Sequence, residues 1–108
     1  MQKQIKLSPF RQKVLQAVAK IPRGKVSTYA LIARHIGHPG AARAVGTALA
    51  KNPTPINIPC HRVICSDGRL GNYQGGSTMK KALLEKEGVI IRGEKIAAST
   101  VFFASSTS

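Results

Sequence analysis

Apolar residues in the first part of the chain recur at helical spacing. Phe10, Val14, Ala17, Val18 and Ile21 fall on one face of a segment from Ser8 to about Lys20, the period of an amphipathic helix. Ser8 can serve as N-cap, and Pro9 suits the first helical position, where its missing N–H costs nothing. Pro22-Arg23-Gly24-Lys25 then breaks the pattern. A second helix is expected after Ser27 or Thr28, through Tyr29, Leu31, Ile32 and His35, and Gly37-His38-Pro39-Gly40 stops it. A third, rich in alanine, runs from Ala41 to about Ala50 with Arg43 in its first turn. Two short helices joined by a tight, Gly-containing turn form a helix-turn-helix.

Beyond Ala50 the periodicity is lost. Pro53, Pro55 and Pro59 hold the stretch from Asn52 to Pro59 extended, because proline fixes φ and donates no hydrogen bond. Arg62 to Cys65 reads as a short strand and Ser66-Asp67-Gly68 as the turn after it. Gly71 to Gly76 is a glycine-rich loop. Ser77 or Thr78 is the expected cap of a fourth helix through Met79, Ala82, Leu83 and Leu84, ending at Gly88. Val89-Ile90-Ile91 adds a short strand. The expected organisation is one domain over residues 1–96, followed by a flexible, Ala/Ser/Thr-rich tail over residues 97–108 in which Val101-Phe102-Phe103 could still pack.

Charge adds a partner to this outline. Seventeen Lys and Arg against four Asp and Glu give a formal charge of +13, which attracts a polyanion such as a nucleic-acid backbone. The basic residues are scattered over several elements instead of lining one amphipathic helix, so a membrane surface is the weaker partner. With no long apolar stretch behind Met1, no signal peptide is expected and the chain is read as cytoplasmic.

The candidate chemistry centres on Ile58-Pro59-Cys60-His61-Arg62. Cations beside a thiol favour thiolate, the nucleophilic form; a buried cysteine acting as a small hydrophobe is the equally weighted alternative. In an extended strand Cys60 and His61 would point to opposite sides, so a direct contact needs a turn or a bridging water. Zinc is disfavoured, since Cys60, His61 and Cys65 match none of the paired ligand spacings. No metal and no cofactor are expected. Glu87, before Gly88, is either a solvated carboxylate or the partner of an imidazole. Arg43, Tyr29 and Asn52 each have bland readings as solvated, core and helix-terminating residues.

Taken together, these features resemble the C-terminal domain of the O6-alkylguanine-DNA alkyltransferases. Ile58-Pro59-Cys60-His61-Arg62-Val63-Ile64 is similar to that family's active-site motif. Ala41-Ala42-Arg43-Ala44-Val45-Gly46, Asn52-Pro53, Gly71-Asn72-Tyr73 and Leu84 to Gly88 follow in the family's order. The resemblance spans roughly Pro9 to Gly93. It implies a mainly helical α/β fold of winged helix-turn-helix type and a monomer acting on double-stranded DNA containing O6-alkylguanine. In that picture Cys60 accepts the alkyl group, His61 deprotonates it through a water, Glu87 orients His61, and Asn52 supports the turn. Tyr29 assists base rotation and proton transfer, while Arg43 enters the duplex from a helix whose Ala42 and Gly46 approach the groove. Arg62 contacts DNA. Tyr73, the backbone of Val63, Gln74 and Gly71 line the guanine pocket. The chain would be a nuclear protein in a eukaryote. Two rivals follow: an alkyltransferase-like lesion sensor, in which the acceptor cysteine is commonly replaced by tryptophan, and a plain winged-helix regulator.

Overall fold

A computed structural model describes residues 8–51, 58–71, 73, 76–98 and 100–102, without the side chains of residues 98 and 100. Helix α1 (Pro9–Ala19) opens as its sequence predicts: Ser8 Oγ accepts from the Arg11 amide at 3.1 Å, with Pro9 in the first turn. Val14, Leu15, Ala17 and Val18 are its buried face. The breaker after it carries a strand that periodicity did not reveal, β1 (Lys25–Thr28). Thr28 ends β1 and also caps α2 (Tyr29–His35), its Oγ1 accepting from the Leu31 amide at 3.0 Å. The strand therefore runs into the helix with no intervening residue, and Tyr29 is held at the junction.

Gly37 and Gly40, at φ of 86° and 90°, make the turn into α3 (Ala42–Ala50). The two helices pack on each other and on α1. Val14, Val18, Ile21, Ile32 and Val45 form the centre of this core, and Ile36, Tyr29 and Phe102 lie around it. A second core of Val26, Ile64, Leu70, Leu84 and Val89 lies beneath the remaining elements.

A 3₁₀ turn, Cys60–Arg62, precedes β2 (Val63–Ile64). The expected strand from Arg62 is thus shorter, because the Arg62 amide donates to the Pro59 carbonyl at 2.9 Å and closes the turn. Strand β2 pairs in parallel with β1, Ser27 opposite Val63 and Thr28 opposite Ile64. The next residues, Tyr29 and Cys65, thereby become neighbours.

Helix α4 (Ser77–Lys86) begins without the expected Ser or Thr cap. Gly76 occupies the cap position at φ 96°, and no side chain bonds the first turn. The buried residues of α4 are Lys80 and Leu84, while Met79 is 50% exposed. Its C-cap is Glu87, against which the α1–β1 turn packs closely. Arg23 Nη2 donates to the Lys86 carbonyl at 3.1 Å, and a Cβ at Gly24 (φ 85°) would lie 3.2 Å from the Glu87 carbonyl oxygen. Only glycine adopts that φ without strain while leaving room for the carbonyl.

Strands β3 (Ile90–Arg92) and β4 (Lys95–Ala98) form an antiparallel hairpin. The expected flexible tail is corrected over its described part. Ala97 and Ala98 end β4, and β5 (Thr100–Val101) pairs in parallel with β1, giving the order β2-β1-β5. The Ser27 hydroxyl donates to the Phe102 carbonyl at 2.8 Å, and the Phe102 ring packs on the first core. An isolated apolar pair in a polar tail gives little local signal; a strand edge on β1 and an open core face supply what orders it.

Candidate active site

The 3₁₀ turn resolves the geometric conflict between Cys60 and His61. In a strand they would diverge by a half-turn; in the 3₁₀ turn successive residues are about 120° apart. Cys60 is 5% exposed and contributes to the wall of an open cleft of about 820 Å³. His61 is buried behind it and directs Nε2 at Glu87 Oε2, 3.0 Å away. Since Glu87 is a carboxylate, Nε2 carries the proton. Nδ1 is then the basic nitrogen; it is buried and has no hydrogen-bond partner among the described residues.

Glu87 reaches this position from the C-cap of α4. Burial pushes its carboxyl upward, but hydrogen bonds from Arg62 and His61 and their charges outweigh burial and bring it down to about 2. Its ionised state near neutral pH is secure. His61 is lowered as well, which for an imidazole favours the neutral form: burial lowers it, and the charges of Arg62 and Lys80 add to that, against the hydrogen bond and charge of Glu87. A neutral imidazole at physiological pH follows.

Tyr29, Ala42, Arg43, Gly46, Cys60, Gly71 and Tyr73 share the cleft wall. The helix-turn-helix and the active-site turn thus face one space, with Arg43 exposed on α3. Gly71 (φ 78°) admits the close packing there, since a Cβ would stand 3.0 Å from Tyr29 Oη and 3.3 Å from Cys65 Sγ. Burial raises the Tyr29 phenol to about 12, reinforced by Cys65 and Cys60. Tyr73 meets the His61 ring edge-on at 6.3 Å.

Arg62 and Val63 are both engaged within the protein. Arg62, expected to contact DNA, donates from Nε and Nη2 to Glu87 Oε1 and Oε2 at 2.9 and 2.7 Å, and from Nη1 to the Ile21 carbonyl at 2.8 Å. Val63, expected to line the pocket through its backbone, has its side chain wholly buried in the core, and its carbonyl accepts from Lys80 Nζ. Asn52 and Gln74 lie outside the described residues.

Two residues were missed. Cys65 lines the cleft with Cys60, placed there by the β1–β2 register. Lys80 has no exposed surface, yet its Nζ donates to the Val63 carbonyl at 2.7 Å and lies 5.8 Å from the Tyr29 ring centroid. The signal for Lys80 is its spacing: Lys80, Leu84 and Glu87 are i, i+4 and i+7 on one helix face. Burial lowers the ammonium from 10.5 to about 8, against the pull of Cys60 and Cys65. Below pH 8 this buried charge costs stability, which returns as pH rises from about 8 to 10.5. The gain is roughly 2–4 kcal/mol. Thermal melts across that range should show a larger rise for the native chain than for Lys80→Met; parallel curves would contradict it.

Comparison with known proteins identifies the setting of this site. Residues 9–89 match the family model described as 6-O-methylguanine DNA methyltransferase, DNA binding domain. The chain belongs to this methyltransferase family. The methylated-DNA–protein-cysteine methyltransferase of Methanothermobacter thermautotrophicus is 49% identical over 85 residues, covering 79% of this chain and 47% of that relative. The one from Saccharolobus islandicus (strain L.S.2.15 / Lassen #1) is 53% identical over 87 residues, 81% of this chain and 56% of its own length. The chain therefore spans about half the length of these relatives.

Solved structures agree on the fold. The DNA complex of Mycobacterium tuberculosis OGT is matched at TM-score 0.74 and 50% identity, over 76% of this chain and 51% of that one. S. pombe Atl1, solved with damaged DNA containing O6-carboxymethylguanine, is matched at 0.72 and 42% identity, over 82% and 83%. The mainly helical α/β fold with short strands is that of the alkyltransferase domains.

Proposed function

We propose that this domain, acting as a monomer on duplex DNA, transfers the alkyl group of an O6-alkylguanine to Cys60. The observation that carries this reading is a cleft-wall thiol sharing one turn with a buried His61 that is bonded to Glu87 from the end of α4. In the proposed step the Cys60 sulfur attacks the alkyl carbon, the carbon–O6 bond breaks, and a thioether forms. The thiol proton passes to His61 Nδ1, directly or through a water, and guanine leaves with a proton returned at the base. Tyr29 and Tyr73 flank the space the base would occupy. Glu87 holds the His61 ring and balances the charge it gains.

A base inside a duplex cannot bring O6 to a half-enclosed sulfur, so the nucleotide must leave the stack. Arg43, exposed on α3 at the cleft edge, is suited to fill the gap. Asn52 is assigned the support of the active-site turn and Gln74 a share of the pocket, on the resemblance alone. The thioether does not revert under mild conditions, so each molecule reacts once.

Intact-protein mass after incubation with a duplex containing one O6-methylguanine tests the reading. A gain of one methyl, mapped to Cys60, is expected; lesion-selective binding with no gain would identify a sensor. The sensor is the second reading because the chain spans 83% of S. pombe Atl1. Retention of Cys60 with its His61–Glu87 couple favours transfer. Arg43→Ala should slow transfer from duplex about tenfold, the worth of 1.4 kcal/mol of extrusion energy, yet leave the reaction with free O6-alkylguanine base unchanged. Equal losses on both substrates would remove Arg43 from the extrusion step.

A further inference from the structure

Arg62 is an ionised member of the site that the transfer step leaves unused. Its guanidinium spans both oxygens of Glu87, at 2.9 and 2.7 Å, and its third bond, to the Ile21 carbonyl, fixes it from the end of the α1 segment. This planar fork matches a carboxylate in a way that lysine cannot reproduce. Glu87 Oε2 is shared, accepting from Arg62 Nη2 at 2.7 Å and from His61 Nε2 at 3.0 Å. Arg62 and Glu87 are 16% and 7% exposed, so water screens little of this competition.

We propose that Arg62 is a positioning residue that sets the basicity of His61 by dividing the Glu87 carboxylate between them. The inference rests on the reading of His61 as proton acceptor for Cys60. A carboxylate stabilises an imidazolium only as far as its charge is not already balanced. Arg62 balances it from both oxygens, leaving the Arg62–Glu87 pair neutral and His61 with a weakened counter-ion.

Among the groups facing His61 from other elements, the cation opposes its protonation and the carboxylate favours it. Lys80 on α4 adds a second cation, the Tyr73 ring meets it edge-on, and Glu87 at the α4 C-cap is the sole carboxylate bonded to it among the described residues. Cys60 precedes it on the same turn. The consequence is a base kept unprotonated until the thiol proton arrives. Without Arg62, His61 would already be protonated over part of the physiological range and unable to accept.

The test is an NMR titration of the His61 ring in the free full chain, alongside single-turnover methyl transfer as a function of pH. In Arg62→Gln the His61 midpoint should rise by about one pH unit, the usual size of a lost neighbouring charge, and the acid limb of the transfer rate should rise with it. Arg62→Lys keeps the charge but reaches one oxygen, so it should give a smaller rise of a few tenths. A residue that merely braces the fold would slow transfer at every pH and leave both midpoints in place. An unmoved His61 midpoint in folded Arg62→Gln overturns the proposal. Should that variant fail to fold, an unmoved or lowered midpoint in Arg62→Lys does so. Because the titration needs no DNA, the two readings fail separately. Absence of methyl transfer by the native chain with His61 responding to Arg62 removes the transfer reading alone. Transfer with an unresponsive His61 removes the clamp alone.

Discussion

Cys60→Ala is expected to abolish alkyl transfer completely while leaving affinity for lesion-containing duplex within roughly twofold of the native value. The loss is total because in the proposed step the sulfur is itself the acceptor atom and no base or solvent can replace it. Affinity survives because phosphate contacts by Lys and Arg supply most of it, and the substitution changes no charge in that set. Stability should fall by only about 1 kcal/mol, the cost of one small buried group. Mass spectrometry with a methylated oligonucleotide reads the first outcome, and titration by fluorescence anisotropy reads the second. An alanine variant that still gained a methyl would move the acceptor role elsewhere, with Cys65, on the same cleft wall, the next thiol to map.

The second large effect belongs to Glu87. Glu87→Gln should cost about 3 kcal/mol, toward the low end for breaking a buried ion pair, since Arg62 keeps 16% exposure and some access to water. Transfer at neutral pH should slow about a hundredfold, as His61 loses the group that orients it and balances its charge. The acid branch of the stability profile supplies an independent reading. The folded carboxyl lies near 2 against an ordinary 4.5, so its contribution is present above about pH 4.5 and drains away as pH falls toward 2. The native chain should lose stability over that interval and Glu87→Gln should lose less. Identical acid profiles would mean that Glu87 is not held as an ion in the folded protein.

The two variants act at different depths. Cys60 is replaceable in the fold and indispensable to the chemistry. Glu87 serves both, because one carboxylate joins the end of α4 to the active-site turn and, through Arg62, to the end of α1. Gly24, whose backbone comes close to the Glu87 carbonyl, places the α1–β1 turn in the same junction.

Much of this was legible in the sequence, for reasons that are local. Ser8-Pro9 and Thr28 mark helix starts because caps act within a single turn. The apolar face of α1 declares itself by periodicity, and Gly37 and Gly40 announce the turn between α2 and α3. Linked motifs in family order pointed to Cys60, His61 and Glu87 as candidates before any geometry was available. What local signals could not supply were relations across the chain. Strand β1 is four residues long and shows no alternation because it is covered on both sides by parallel neighbours and core. Residues 100–102 are ordered only by its edge and by a core face built from distant helices.

The same division holds inside the site. Arg62 reads in sequence as one cation among seventeen, and its engagement within the protein depends on Glu87 arriving from 25 residues away. Lys80 reads as a surface lysine, and its burial depends on the Val63 carbonyl waiting beneath it. Sequence alone determined which residue types were present and which short elements they nucleate, since propensity and capping are properties of neighbours. The tertiary structure alone decided which charges meet, because an ion's partner, burial and protonation state are set by whatever the fold brings within a few ångströms.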